Sequence, residues 1–224
     1  MDGVYLNAGQ EEEQTALLCV LGLNEQGEVA GVQPKELLAM VPGYRESMES
    51  WAGVLRDLRE RGLKRPMQRQ PSWRVIGDGA LGIWAALREV WPQTRSQRCW
   101  NHRTLNVLDK LPKRLWGQMR KDLPSAATAP TRSACQQRLE EIAADLRQAG
   151  QEAAAETVLR DLGDFLTFYD FPQEHWLHLR TTNPIESIFA GVRLRTNVTK
   201  RLPNVDNALY KTLQSVESCK VTAK

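Results

Sequence analysis

W-R-V-I-G-D-G-A-L-G-I-W-A-A-L, residues 73–87, decides how this chain is built. Trp73 to Ile76 is short, β-branched and aromatic, the composition of a strand. Gly77-Asp78-Gly79 follows as a turn. Leu81 to Val90 then reads as a helix, stopped before Pro92. A strand that turns through an acidic residue into a helix places that carboxylate at the strand's end. Capping of the following helix is an equally direct use, since Asp is a favoured N-cap.

Further strands and helices lie on either side. Val4 to Leu6 is a short apolar stretch, and Thr15 to Leu23 (T-A-L-L-C-V-L-G-L) is a continuous apolar run. Such a run suits a strand covered on both faces. N-E-Q-G-E after it is a turn signal. Val29 to Met40 is ambiguous, because Pro34 interrupts any strand there. Ser47 to Arg61 reads as an amphipathic helix with Trp51, Leu55 and Leu58 on one stripe, ended by Gly62. Arg95 to Trp100 reads as a fifth strand. The order strand, strand, strand, helix, strand, helix, strand predicts an α/β fold of ribonuclease H-like type, a mixed sheet with flanking helices.

From about Arg103 to Phe168 the composition turns to Ala, Leu, Gln, Arg and Glu, all strong helix formers except where Pro112, Pro124 and Pro130 punctuate them. This predicts an all-helical insertion of several helices. A last core helix is expected near Pro184, and another short helix over Asp206 to Ser218. The expected organisation is therefore residues 1–102 as the first part of the core, 103–172 as the insertion, 173–201 as the final core segment and 202–224 as a basic tail.

Composition excludes some classes. Charged residues make up 25 % and hydrophobic residues 42 %, ordinary for a globular protein. No apolar run reaches the length of a membrane helix, and no charged-then-apolar leader opens the chain, so the cytoplasm is the expected compartment. Cys19, Cys99, Cys135 and Cys219 lack a paired framework, which favours reduced thiols. The net charge is +3, but Arg180 to Lys224 carries eight basic residues against three acidic ones. Arg180, Arg193, Arg195, Lys200 and Arg201 flank Glu186, and Arg193, seven residues on, shares its helical face. A solvated face and a polyanion-binding face are both open on that spacing.

Glu186 lies in R-T-T-N-P-I-E-S. Asn183 as N-cap, Pro184 at the first helical position and Glu186 at the third make a capping box, which needs no further role. Cys99-x-x-His102 is a metal half-site in spacing only. His175-x-x-His178 would have to complete it, nothing in the sequence joins the pairs, and no zinc is expected. Of seven Trp residues, Trp51 and Trp84 read as core, while Trp100 and Trp176 sit beside the motifs, where a ring would be placed to stack on a base.

The stretches D-G-V-Y-L (Asp2 onward), G-Y-R-E-S-M-E-S-W-A-G-V-L-R-D-L, V-I-G-D-G-A-L-G-I-W-A-A-L, Q-R-C-W-N-H, F-Y-D-F-P-Q-E-H-W-L-H-L-R-T-T-N-P-I-E-S and V-R-L-R-T run in order over most of the chain. In these motifs the chain resembles the Mutator-type transposases of bacterial insertion sequences. The resemblance implies an Asp-Asp-Glu catalytic set of Asp2, Asp78 and Glu186. Such a set holds two Mg2+ or Mn2+ ions about 3.5–4 Å apart for phosphodiester cleavage and strand transfer. It turns the basic residues around Glu186 into DNA phosphate contacts, and Cys99, His102 and Asn183 into supports of the site. It implies DNA as partner, both element ends and target, and a homo-oligomer on that DNA. No membrane or small-molecule substrate is expected, and the compartment is the bacterial cytoplasm and nucleoid.

Departures from the family pattern set further expectations. Only Met1 precedes Asp2, no end-recognition region precedes it, and K-R-P-M-Q-R-Q-P-S-W-R is an unusual entry to the V-I-G-D-G strand. The chain therefore reads as an N-terminally truncated copy, with Asp2 at a fraying terminus without its strand partner and with activity low or absent. Two alternatives follow. One is a non-catalytic remnant that binds DNA or an intact transposase, and the other is a host nuclease of ribonuclease H-like fold.

Overall fold

The apolar run around Cys19 forms the middle strand of a three-stranded antiparallel sheet. In the computed structural model, which describes residues 1–6, 15–23, 35–43, 46–63, 74–79, 81–186 and 189–190, the elements alternate as an α/β chain should. Strands β1 (Asp2–Leu6), β2 (Thr15–Leu23) and β3 (Lys35–Gly43) pair in the order β1-β2-β3. Ala16, Leu17, Leu18, Cys19 and Val20 are all buried, so both faces of β2 are covered, as its unbroken apolar sequence requires. Of the doubtful stretch from Val29 to Met40, residues 29–34 lie outside the described residues, and from Lys35 on it is strand β3, where Pro42 is tolerated opposite Leu17 because β3 is an edge strand among the described strands.

Helices α1 (Met48–Glu60) and α2 (Leu81–Val90) belong to the same compact unit as this sheet, together with the segment from Thr182 onward. Ser47 caps α1 by accepting the Ser50 N–H at 3.2 Å. Gly62, at φ 97°, ends it in the left-handed region. Trp51, Leu55 and Leu58 of α1 and Ile83, Trp84 and Leu87 of α2 are the buried faces, which makes Trp51 and Trp84 core residues as expected. Thr182 opens the next helix, with residues 183–186 and 189–190 helical.

The second unit comprises Pro66–Gly79 and Thr94–Thr181. Its strands β4 (Arg74–Gly77) and β5 (Arg95–Arg98) pair in parallel. The described strands thus form two sheets, of three and two strands, rather than one ladder of five. Strand β5 is shorter than expected. Cys99 turns out of it at ψ 125° and Trp100 already opens helix α3 (Trp100–Leu108). The remainder is helical: α4 (Lys113–Ala126), α5 (Arg132–Gln148), α6 (Glu152–Leu159), α7 (Leu162–Phe165) and α8 (Trp176–Leu179), with 3-10 turns at Thr167–Asp170 and Gln173–His175. Pro112 and Pro130 fall between helices. Pro124 does not, because it sits in the last turn of α4, where one missing donor breaks only a terminal bond.

This unit is held together around Trp100, Phe165 and Phe168. Trp100 stacks on Phe165 at 4.1 Å and meets Phe168 edge-on at 6.2 Å. Gln97 is fully buried and satisfied. Its amide donates to the carbonyls of Arg98 and Phe165 at 2.8 Å, and its oxygen accepts the Phe168 N–H at 2.7 Å. A buried amide with its groups paired fastens β5 to the far end of the helical region instead of destabilising it.

Candidate functional site

Asp2 opens β1 and is only 5 % exposed. It stands opposite Cys19 in the β1–β2 register, and its Oδ1 accepts the Gly3 N–H at 2.9 Å. The expectation of a fraying, unpaired residue is therefore corrected: β2 is long enough to pair with every residue of β1. Glu46, which sequence reading did not single out, lies over Gly3. A Cβ on Gly3 would fall 2.5 Å from its Oε1. The buried Cys19 thiol is pushed up to about 12, chiefly by burial, with the N-terminal ammonium acting against this and the Asp2 charge adding to it. This thiol stays protonated and unreactive at neutral pH.

Asp78 follows β4 directly and is partly buried. The junction behind it is fixed at two points. Cys99 donates its N–H to the Gly77 carbonyl at 2.9 Å, and the Arg98 guanidinium donates to the Asp78 carbonyl at 3.3 Å. Cys99 is buried at the start of α3, and His102 lies in the first turn of that helix. A carboxylate oxygen of Asp78 lies within 4.8 Å of a His102 ring nitrogen, and so does the Cys99 sulfur. The second unit therefore brings together Asp78, Cys99 and His102. Since α2 begins at Leu81, Asp78 stands three residues ahead of the helix, too far to be its N-cap.

A basic network that sequence reading missed stands behind this junction. The Asp161 carboxylate lies 3.4 Å from the Arg98 guanidinium and 3.9 Å from that of Arg103. Arg103 also donates to the Thr157 carbonyl and lies 5.0 Å over the Phe165 ring. Burial draws the Arg103 pKa down to about 10, opposed by Asp161 and assisted by the neighbouring Arg98 and Arg160, so it remains a cation at neutral pH. Asp161 holds φ 53°, a left-handed backbone that Asp tolerates better than most residues. Only the positive φ of Asp161 has a faint sequence signal, an Asp before Leu-Gly. The pairing with Arg98 spans 63 residues and has none.

Glu186 is half-buried in the first turn of its helix. The N-cap is Thr182, not Asn183. The Thr182 carbonyl accepts the N–H groups of Ile185 at 2.9 Å and Glu186 at 3.0 Å, and residue 183 is already helical. The expected capping box with Asn183 is therefore displaced by one residue. Glu186 accepts the Thr182 hydroxyl on Oε1 at 2.8 Å. A buried hydroxyl, 3 % exposed as a residue, thus orients the carboxylate. Asn183 is exposed beside it.

Two further expectations change. Arg180, expected among the phosphate contacts, is half-buried and engaged within its own unit. Its guanidinium donates to the Ala127 carbonyl and lies 5.7 Å over Phe168, and burial lowers its pKa. Its backbone carbonyl accepts the Trp100 N–H. Trp100 is buried against Phe165, so its ring has no face to offer a base. Trp176 is half-buried, edge-on to Phe168, and donates its indole N–H to the Phe171 carbonyl. Among the described residues the buried cysteines Cys19, Cys99 and Cys135 are not in disulfides. Arg193, Arg195, Lys200, Arg201, Cys219 and the expected helix at Asp206 to Ser218 lie outside the described residues.

The sequence model of the family described as "Transposase, Mutator family" matches residues 1–220. The transposase for insertion sequence element IS6120 of Mycolicibacterium smegmatis is 44 % identical over 200 residues, covering 89 % of this chain and 58 % of that protein. The transposase for element IST2 of Acidithiobacillus ferrooxidans is 40 % identical over 210 residues, covering 92 % and 67 % respectively. The transposase for element ISRM5 of Rhizobium meliloti is 29 % identical over 205 residues, covering 87 % and 46 %. The chain thus spans roughly half to two thirds of the length of these relatives.

Proposed function

Because this chain belongs to the Mutator family of transposases, we propose that it is the catalytic region of a DNA transposase, with Asp2, Asp78 and Glu186 as its metal-binding carboxylates. Family membership over nearly the whole chain carries this reading. The local settings support the residue choice: a buried carboxylate on β1, one at the end of β4, and one oriented at a helix start. The ribonuclease H-like architecture belongs to the same proposal, as do action on element ends and target DNA, a homo-oligomeric assembly on that DNA, and a place in the bacterial cytoplasm and nucleoid. Among the described residues no helix is long and apolar enough to cross a membrane, in keeping with that compartment.

The donor chemistry fits Mg2+ or Mn2+. Three carboxylates are hard oxygen donors, the class these ions take. When bound, a pair of such ions supplies Lewis acidity at the attacking and leaving oxygens of an in-line displacement at phosphorus. The protein's own part is to hold the ligands still. Thr182 fixes one oxygen of Glu186, while Cys99 and Arg98 hold the peptide groups on either side of Asp78. Glu46 packs beside the start of β1. His102 holds a ring nitrogen within 4.8 Å of an Asp78 carboxylate oxygen. No residue needs to form a covalent intermediate, so the same carboxylates serve both cleavage and joining.

The pairing of Asp2 with β2 removes one reason for expecting an inactive chain. The test is metal-dependent nicking of a supercoiled plasmid carrying element ends, by the chain and by its Asp78→Asn and Glu186→Gln variants. Nicking that requires Mg2+ or Mn2+ and falls at least about a hundredfold in both variants is expected, since displacing a catalytic group by even ~1 Å has an effect of that size. Variants that cut as well as the parent, with unchanged melting temperatures, would remove the assignment.

A further inference from the structure

We propose that the exposed face of α4, with Lys110 just before it, is a docking surface for the sugar-phosphate backbone of duplex DNA. This rests on the reading that the chain acts on DNA, and it locates a contact away from the carboxylates.

Helix α4 buries Met119, Leu123 and Ala126 and turns Lys113, Arg114, Arg120 and Lys121 outward, all exposed. Lys110 is exposed as well. At 1.5 Å per residue the row from Lys113 to Lys121 spans about 12 Å, the reach of several phosphates along a groove edge. Four of the five charged residues of α4 are basic. Its neighbour α5, equally helical and equally exposed, carries three basic and three acidic residues. Those basic residues are engaged: Arg132 with Asp170, Arg138 with Glu141 and Arg147 with Glu152. Among the described residues no ion pair involves Lys110 or the four cations of α4. An ordinary solvated helix looks like α5, and α4 does not.

Two further observations separate this face from a merely soluble one. Lys113 and Arg114 occupy the first turn, which has no acidic residue, at the helix end where cations oppose the dipole. The charge is therefore not there to stabilise the helix. Gly117 lies in the middle of the exposed face, although Gly is a poor helix former. A Cβ on it would meet nothing within 4 Å, so packing inside the protein does not ask for glycine. Close approach of an outside backbone does. Beside it Arg120 is held 5.8 Å over the Trp116 ring, which fixes one cation of the row in place.

The experiment measures affinity of the whole chain for a fluorescent duplex of arbitrary sequence, across a KCl series. The parent is compared with Lys113→Gln/Arg114→Gln/Arg120→Gln/Lys121→Gln and with Gly117→Glu. The quadruple variant should shed about 3.6 from the magnitude of the log–log salt slope, at roughly 0.9 per lost phosphate contact, and Gly117→Glu should weaken binding at least about tenfold. Lysine acetylation of the parent gives a reading that needs no variant: Lys110, Lys113 and Lys121 should be protected by duplex. An unaltered slope in the quadruple variant, unprotected lysines, or equal affinity for polyglutamate would overturn the proposal while leaving the proposed function standing. Failure of the parent to bind any DNA would instead remove the reading on which it rests.

Discussion

Gly82 sits where helix α2 meets the start of α1, and a Cβ there would stand 2.4 Å from the Glu46 carbonyl oxygen and 2.8 Å from the Ser47 carbonyl carbon. Both obstacles are backbone, so neither can rotate aside, and the two helices would have to move apart. Gly82→Ala should therefore lower stability by about 1–3 kcal/mol despite the better helix propensity of Ala. Urea denaturation measures this, and a variant as stable as the parent would show that the contact yields easily. The same close approach bears on the candidate site, because Glu46 also packs its side chain over Gly3 next to Asp2. Other single residues were legible only in kind. A helix start near Pro184 could be read, but Thr-Thr-Asn offers three adjacent capping residues, and buried hydrogen bonds select Thr182 over Asn183. The engagement of Arg180 was not legible, because its partners, Ala127 and Phe168, are 53 and 12 residues away in sequence.

Elements defined by local signals were readable to the residue. Strand β2 coincides with its apolar run, and α2 runs from Leu81 to Val90 as its sequence indicates. Ser47 and Gly62 bracket α1. The end of β5 was not readable, because Cys99 carries no capping signal and turns where its N–H meets Gly77, a partner supplied by parallel pairing. Burial of β2 has a measurable consequence. Its Cys19 thiol is raised from 9.0 to about 12 in the folded chain, mainly by desolvation. A group raised on folding contributes its full share below its unfolded value. Above pH 9 the unfolded thiol ionises while the folded one does not. Stability should then fall by roughly 1.4 kcal/mol per pH unit from this group, until the folded thiol also ionises near 12. Other groups titrate in the same window, so the useful quantity is a difference. Chemical denaturation of the parent and Cys19→Ala between pH 8 and about 10.5 should show the steeper decline in the parent. Parallel curves would mean that the thiol reaches water in the native state.

For the whole molecule, Asp2, Asp78 and Glu186 come from far-apart positions in sequence, and this sets a thermodynamic signature for the proposed function. In the unfolded chain nothing holds these carboxylates together, so a divalent ion that needs all three binds the native state and not the unfolded one. Binding of that kind adds RT ln(1 + [L]/Kd) to the unfolding free energy, about 2.7 kcal/mol at a hundred times Kd. Mn2+ or Mg2+ should therefore raise the melting temperature with a logarithmic dependence on concentration. Asp78→Asn and Glu186→Gln should each abolish the rise. In each variant the shift is read against that variant's own melting temperature without metal. Ca2+ provides a control, since it takes oxygen ligands at longer distances and with more of them, and should shift melting less if the three carboxylates form a compact set. Zn2+ provides the opposite control. Cys99 and His102 lie beside Asp78 and offer softer donors, so a large Zn2+ shift that survives Glu186→Gln but is lost in Cys99→Ala would point to a different metal site. A Mn2+ shift lost in both carboxylate variants and kept in Cys99→Ala is the outcome the proposed catalytic set requires.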